Sequence, residues 1–285
     1  MSTITASPRA LALTALEETA SRLSQLLGSV GDPTRRAVGE WSIGQTAAHV
    51  TTVCVLDSLW ARGQRPPPGG LRDLYDQACA TTLGRVSEIN ALTLEYERER
   101  DPRVLATRIE EEVAGLVHAL AAAGEDHRVT WLAGIGATPT GIVAHLLSEM
   151  LVHGMDMARA EGRSFPIPAA PARLFFETFF LEALQSPEVS RFAAQRGPDG
   201  GELRWELRLR GSRPVQIVFS RGQVTLDEAH ARRPDVRISA DPAVMLPVMF
   251  RRINPMGPVL RGRLVVSGRR PWKLRRLMTM MQMPA

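Results

Sequence analysis

The sequence predicts two different folds in one chain, a helical bundle followed by a small α+β domain. Over roughly the first 185 residues the apolar positions recur at helical spacing, and beyond residue 201 they alternate as in strands. The stretch Gly197-Pro198-Asp199-Gly200-Gly201, rich in turn-forming residues, separates the two patterns. With 285 residues the chain can build two cores. We therefore expect a helical domain over 1–186, a linker over 187–201 and an α+β domain over 202–285.

Helix-start signals divide the first part of the chain. Ser42 and Gln45 form a capping-box pattern, while Asp101-Pro102 and Thr138-Pro139 each place a capping side chain before a proline. The expected helices span about 11–27, 43–63, 71–94, 102–123, 139–162 and 172–185.

Period-two alternation marks the second part. Leu203, Trp205, Leu207 and Leu209 occupy every second position of the first expected strand. Further strands are expected around 215–219, 224–226, 236–238 and 264–266, with short helices after Asp241-Pro242 and over 271–281. Antiparallel strands with helices on one face are the expected arrangement.

Charge divides the chain in the same way. Residues 1–200 carry 18 basic and 24 acidic side chains, whereas residues 201–285 carry 17 and 6, a balance of +11. This asymmetry indicates an anionic substrate or partner near the second domain. Lys273 is the only lysine among these basic residues. Because arginine enrichment of this kind accompanies GC-rich genomes, and no recognition helix or aromatic stacking set is evident, we do not expect nucleic-acid binding.

Several other classes are disfavoured. Two cysteines, Cys54 and Cys79, are too few for a disulfide scaffold or a thiolate zinc cage. No apolar run reaches the roughly 18 residues of a membrane span. The N-terminus reads as an amphipathic helix without the features of a signal peptide, so the cytoplasm is the expected location.

The segment from Thr138 to Gly162 carries the main chemical signal. At 100° per residue, His153 lies about 40° from Glu149 on the helix surface and Asp156 about 20° to its other side. These polar groups interrupt an apolar face, and burying them is unfavourable unless they pair or bind a cation. His49, on the apolar face of the second expected helix, is the candidate third ligand.

Two histidines and one glutamate leave zinc with an open position, as catalytic sites require. Iron(II) and nickel also suit this donor set. His145 and Asp156 are candidates to orient the ligands. The alternative is an ordinary buried i,i+4 contact between Glu149 and His153. His118, His127 and His230 lack such a context and are interpreted as ordinary residues.

These segments resemble a known family. Trp41-Ser-Ile-Gly-Gln-Thr-Ala-Ala-His49 resembles the W-S-x-x-x-x-x-x-H helix of the DinB-like metalloproteins, and Glu149-Met-Leu-Val-His153-Gly-Met-Asp156 resembles their E-x-x-x-H-G-x-D segment. Within that group the chain is most similar to mycothiol-dependent maleylpyruvate isomerases. The region after Gly201 is similar to the sterol-carrier-protein-type domain that follows the bundle in that family.

The resemblance implies an up-down four-helix bundle, with a divalent metal, expected to be zinc, on His49, Glu149 and His153. It also implies mycothiol as the thiol cofactor or co-substrate, whose thiolate would add to a small anionic electrophile such as a maleylpyruvate-like compound. The reaction would be an isomerisation or an S-transfer. In the family a basic residue of the second domain contributes to the site, and the candidates here for gripping a carboxylate are Arg251, Arg252, Arg261 and Arg263.

Two other functions are compatible with the sequence. The sterol-carrier-like domain could carry a lipid or another small apolar molecule without catalysis, using adaptable side chains at Val244, Met245, Met249 and Phe250. Its positive charge could alternatively bind an anionic surface, with the helix near the C-terminus touching a membrane. For that helix, packing in the core is the preferred interpretation.

Overall fold

The computed structural model describes residues 6–196, 201–228 and 232–280. Most of the expected glycine-rich boundary (197–200), His230 and the end of the last expected helix (Met281) lie outside the described residues. The first part is helical and the second is a mixed sheet with helices, which confirms the predicted fold class. The helices of the first part are α1 (Pro8–Gly28), α2 (Ile43–Ala61), α3 (Gly70–Ala80), α4 (Val86–Tyr96), α5 (Pro102–Ala121) and α6 (Pro139–Ala160).

The helical core is built around α6. This helix packs against α1 and α2, which in turn contact α5, and most of its side chains are buried. Two short antiparallel strand pairs lie between the helices in the chain: β1 (Arg36–Val38) with β2 (Trp41–Ser42), and β3 (Val129–Thr130) with β4 (Gly136–Ala137). A single-turn helix, Leu132–Gly134, lies between β3 and β4.

The predicted capping signals begin the helices as expected. Ser42 and Gln45 form the reciprocal capping box of α2. Thr138 accepts a hydrogen bond from the backbone of Gly141 at the start of α6, and Asp101 caps α5 in the same manner. Each cap satisfies a backbone N–H that the helix itself leaves free.

The helix expected over 71–94 is broken in two. Thr81 and Thr82 adopt extended backbone conformations between α3 and α4, and a short turn at Leu83–Arg85 precedes α4. Two consecutive β-branched residues weaken a helix locally, which the apolar periodicity did not reveal. The break separates α4 from α3, and α4 lies against α2.

The helix expected over 172–185 exists with an irregular centre. α7 (Ala169–Leu174) continues into a π-helical turn, Phe175–Phe180, and then into α8 (Leu181–Leu184). The wider turn brings four phenylalanines into buried positions. Phe179 contacts the bundle at Trp131, and Phe180 contacts Trp205 of the sheet. This segment therefore packs the two parts of the chain together.

Part of the expected linker is helical. Residues 187–196 form α9 (Pro187–Arg196), where only a connection was expected. Ser186 accepts a hydrogen bond from the backbone of Val189, so Ser186-Pro187 is another capping residue followed by proline. This start signal was missed.

The second part is a five-stranded sheet. The strands are β5 (Leu203–Leu209), β6 (Val215–Ser220), β7 (Gln223–Glu228), β8 (Val236–Ala240) and β9 (Leu264–Ser267), in the order β7-β6-β5-β8-β9. The purely antiparallel arrangement was wrong for one pair, since β5 and β8 are parallel. β8 joins the free side of β5 instead of following β7, and alternation alone does not determine that choice.

Three short helices accompany this sheet. They are α10 (Pro242–Met249), α11 (Met256–Leu260) and α12 (Leu274–Met280), the last preceded by a turn at Pro271–Lys273. α10 contacts α7 and α6, and α12 contacts α9. Leu277 and Met280 of α12 are buried, which agrees with the preferred core-packing interpretation. In the three described ranges no helix is long and apolar enough to cross a membrane.

Candidate metal centre

His49 of α2 and the pair Glu149 and His153 of α6 meet in the interior of the bundle. The two histidines are almost fully buried. His49 Nε2 lies 3.6 Å from Glu149 Oε2, and His153 Nε2 lies 3.3 Å from the same oxygen. One donor atom from each residue falls within 4.8 Å of the others. Tertiary packing therefore brings together the three side chains that the sequence singled out.

The spacing of these atoms fits a divalent metal. Zinc bonds of about 2.0–2.2 Å in a tetrahedral arrangement separate neighbouring donor atoms by roughly 3.3–3.6 Å. The two separations from Glu149 Oε2, 3.3 and 3.6 Å, fall in this range. Three protein donors would leave a fourth position for a substrate or thiol, as catalytic zinc sites do.

A hydrogen bond to Thr93 of α4 sets the tautomer of His49. Its Nδ1 lies 2.9 Å from Thr93 Oγ1, and that hydroxyl donates its only proton to the carbonyl oxygen of Asn90 at 2.6 Å. The threonine oxygen must therefore accept, and His49 Nδ1 must donate. This leaves the Nε2 lone pair free on the side facing Glu149, which is the arrangement a metal ligand needs.

His145 lies beside the other carboxylate oxygen of Glu149. Its Nε2 lies 3.6 Å from Glu149 Oε1, and its Nδ1 is bonded to Asp57 Oδ2 at 2.7 Å. Trp131 donates to the second oxygen of Asp57 at 2.8 Å. Burial alone would lower the pKa of His145, but the charge of Asp57 raises it. The imidazole is held between two carboxylates, one of which belongs to the cluster.

Asp156 connects the cluster to the second domain. Its Oδ2 lies 3.3 Å from His153 Nδ1, without the alignment of a hydrogen bond. Arg252, which follows α10, donates from Nε to the same oxygen at 2.8 Å. Arg159 of α6 donates to the carbonyl oxygen of Arg252 at 2.9 Å. The segment after α10 is thus fixed to α6 at two points, one of them beside the cluster.

The electrostatics of the cluster favour a cation. Burial alone would raise the pKa of Glu149, but the neighbouring imidazoles of His153 and His49 hold it well below its usual value. Burial lowers the pKa of His49. For His153, burial would also lower the pKa, but the carboxylates of Asp156 and Glu149 raise it to about 9. Positive charge held between two carboxylates in the bundle interior is also what a bound metal ion would create.

The four candidate arginines are not gathered at the cluster. Arg252 forms an ion pair with Asp156, and Arg263 lies 3.5 Å from Asp241 at the start of α10. Arg251 and Arg261 are exposed. In the described part of the chain none of the four makes an ion pair with Glu149. His118 and His127 are exposed, in keeping with the ordinary role expected for them.

Sequence reasoning missed three contributors. Thr93 stands alone on a short helix, and no spacing rule could have paired it with His49. Trp131 lies in the irregular loop between β3 and β4. Asp57 did leave a signal, since it is a carboxylate within the largely apolar α2, eight residues after His49 and almost fully buried.

Comparison with known proteins gives two family matches. Residues 13–158 match the model described as "Mycothiol maleylpyruvate isomerase N-terminal domain". Residues 198–275 match the "SCP-2 sterol transfer family". No curated protein matches the chain.

Two solved structures are similar to the chain. They are a mycothiol-dependent maleylpyruvate isomerase and a single-residue variant of it. Each is 18% identical over 87% of this chain and 90% of the other, with TM-scores of 0.45 and 0.47 respectively.

Proposed function

The chain belongs to the family of the mycothiol maleylpyruvate isomerase N-terminal domain, and we propose that it is a metal-dependent enzyme using a low-molecular-weight thiol, mycothiol. Its substrate would be a small anionic electrophile of the maleylpyruvate type. The reaction would be isomerisation through reversible thiol addition to a cis double bond, or transfer of the thiol to the electrophile.

One observation carries the metal part of the proposal. His49, Glu149 and His153 converge from two helices with the separations of zinc ligands, and Thr93 keeps the His49 Nε2 lone pair available. Ordinary core packing does not require a hydroxyl in that position. Zinc is the metal we propose, and iron(II) or nickel would suit the same donors.

When bound, a divalent metal lowers the pKa of a coordinated thiol and polarises substrate oxygens. The chain's own residues position the metal ligands and exclude water. His145, held by Asp57, orients the carboxylate of Glu149 through its Oε1. Asp156 lies beside His153 Nδ1 and restrains that ring. Burial of the cluster excludes bulk water, which strengthens these electrostatic interactions.

Arginines of the second domain would bind the substrate's negative charge. Arg252 already neutralises Asp156, so we assign it to positioning the second domain against α6. Arg251, Arg261 and Arg263 remain candidates to grip a carboxylate, since guanidinium binds it with two parallel hydrogen bonds. Their exposed positions agree with a role that involves an incoming ligand.

The test combines metal content with thiol binding. Elemental analysis of protein purified without added metal should give about one metal ion per chain, and His49→Ala or His153→Ala should lose most of it. A calorimetric titration with mycothiol should show binding to the wild type that is lost in both variants. Thr51→Val, a buried change on α2 without a histidine contact, is the matched control. Metal-free wild type, or metal without thiol affinity, would contradict the proposal.

The carrier alternative has less support. Val244 and Met245 are buried in the core between α10 and its neighbours. The ring of Phe250 packs on Phe175 with centroids 5.9 Å apart. These side chains are engaged in packing, so they do not offer a lipid site in this conformation. A lipid extracted in stoichiometric amount from the purified protein would favour the carrier function instead.

A further inference from the structure

A basic groove lies at one end of the sheet, where β5 and β8 begin and β9 ends. It has a volume of about 430 Å³. All the residues that line it lie at or after Gly201, and none belongs to the metal cluster. This volume falls in the range of small-molecule sites, roughly 300–1,000 Å³.

The groove has a surplus of positive charge. Six basic and two acidic side chains line it, which leaves four positive charges without a carboxylate in the groove. Arg269, Arg270 and Lys273 all turn toward a single carboxylate, that of Asp235, at 3.4, 3.7 and 3.4 Å. One negative charge cannot neutralise three cations.

Asp235 organises these cations from beneath the surface. It is 4% exposed, and its carboxylate accepts a hydrogen bond from the backbone N–H of Arg204 at 3.3 Å. Burial alone would raise the pKa of Asp235, but that backbone bond and the charge of Lys273 lower it. The residue is a fixed anion that gathers basic side chains at the floor of the groove.

Arg232 and Arg233 line the groove from the segment before β8, and Arg269, Arg270 and Lys273 line it from the segment after β9; these two segments form its walls. Both are exposed, and neither side chain has an ion pair or hydrogen bond within the ranges that the structure describes. Cations that line one groove repel one another, which costs free energy in the absence of an anion. A bound anion would remove that cost.

The two walls are held rigidly together. The backbone N–H of Arg270 donates to the carbonyl oxygen of Asp235 at 2.8 Å, and that of Arg269 to the carbonyl oxygen of Pro234 at 3.1 Å. Gly268 has φ +124°, and a Cβ there would lie 2.5 Å from the carbonyl oxygen of Asp235. Only glycine permits this approach, so the backbone holds together the two segments that carry these basic side chains.

We propose that this groove binds the phosphate group of a phosphorylated ligand. A phosphate offers several acceptor oxygens and up to two negative charges, which suits guanidinium groups converging from two walls. A single carboxylate would leave most of the surplus unmatched. The phosphate could belong to a free phosphorylated compound or to a phospholipid headgroup, and both present the same chemistry.

The probe is inorganic pyrophosphate, titrated calorimetrically into the full-length protein at low ionic strength. The variant is Arg232→Ala with Arg233→Ala, since neither side chain supports the fold. The matched control is Arg213→Ala with Arg221→Asn, which removes the same charge from exposed positions outside the groove. Asn is chosen because Arg221 has φ +51°, which asparagine tolerates.

We expect saturable pyrophosphate binding that weakens at least tenfold in the groove variant and less than twofold in the control. Arg232→Ala alone should give an intermediate loss. No saturable binding to the wild type, or equal losses in groove variant and control, would overturn the proposal.

Sedimentation with phosphatidylglycerol vesicles distinguishes the source of the phosphate. Vesicles that bind and are displaced by pyrophosphate identify a headgroup. Vesicles that do not bind, or that pyrophosphate does not displace, identify a soluble phosphorylated compound.

Discussion

The hydrogen bond between Thr93 and His49 allows the most direct test of the proposed site. Thr93→Val removes the hydroxyl that accepts from His49 Nδ1 and keeps the β-branched shape of the side chain. Thr93 is 1% exposed, so bulk water does not take the place of the lost oxygen. The change therefore acts on the histidine ring without opening the core to solvent.

The size of the effect follows from the two tautomers of His49. If Nδ1 keeps its proton, a buried donor is left unpaired at a cost of about 1–3 kcal/mol. If the proton moves to Nε2, that cost is avoided but the lone pair facing Glu149 is lost. Removing the hydrogen-bond partner of a metal-bound histidine typically weakens binding 10–100-fold. That corresponds to about 1.4–2.7 kcal/mol, in agreement with the first figure.

The assay is zinc affinity measured by competition with a chromophoric chelator. Thr93→Val should bind zinc at least tenfold more weakly than wild type, and Thr93→Ser, which keeps the hydroxyl, should recover most of the affinity. Thr51→Val controls for loss of a buried hydroxyl, because Thr51 Oγ1 donates only to the carbonyl oxygen of Ala47. Thr93→Val protein that is folded and binds zinc within twofold of wild type would refute the reasoning.

Four further outcomes are expected. Arg252→Met should lower the free energy of unfolding, measured by urea denaturation, by roughly 1–3 kcal/mol. In a double-mutant cycle with Asp156→Asn, most of this loss should appear as the coupling energy between the two residues, and additive losses would mean that the pair is unimportant. Gly154→Ala should destabilise by about 1–3 kcal/mol in the same assay, because its Cβ would lie 2.7 Å from the ring of Phe165; unchanged stability would show that the ring moves freely. Chelation of the metal should lower the melting temperature of wild type but not of His49→Ala, since a ligand that binds only the folded state stabilises it. Burial would raise the pKa of Glu206, but Arg237 and Arg208 lower it. The stabilising effect of Glu206 should therefore be present above its unfolded-state pKa and lost as pH falls through its folded-state pKa. Urea midpoints measured downward from pH 6 should fall less steeply in Glu206→Gln than in wild type, and equal slopes would contradict this.

The local features of this protein could be predicted from the sequence because they depend on neighbouring residues. Ser42, Asp101 and Thr138 begin helices through hydrogen bonds that span three residues or fewer. The position of Glu149 beside His153 follows from helical geometry alone. The alternation of β5 likewise predicted that Leu203, Trp205, Leu207 and Leu209 would be buried, but it did not predict the burial of Glu206 between them.

The tertiary structure decided which of these local features meet. The sequence offered His49 as a candidate, but only the packing of α2 against α6 puts its Nε2 near Glu149. Thr93 contacts the ring of His49 because the chain breaks between α3 and α4. That break depends both on a locally weak helix and on packing against distant residues. The pairing of Arg252 with Asp156 joins residues 96 positions apart. Contacts across such separations are set by the packing of whole elements, and no local period records them.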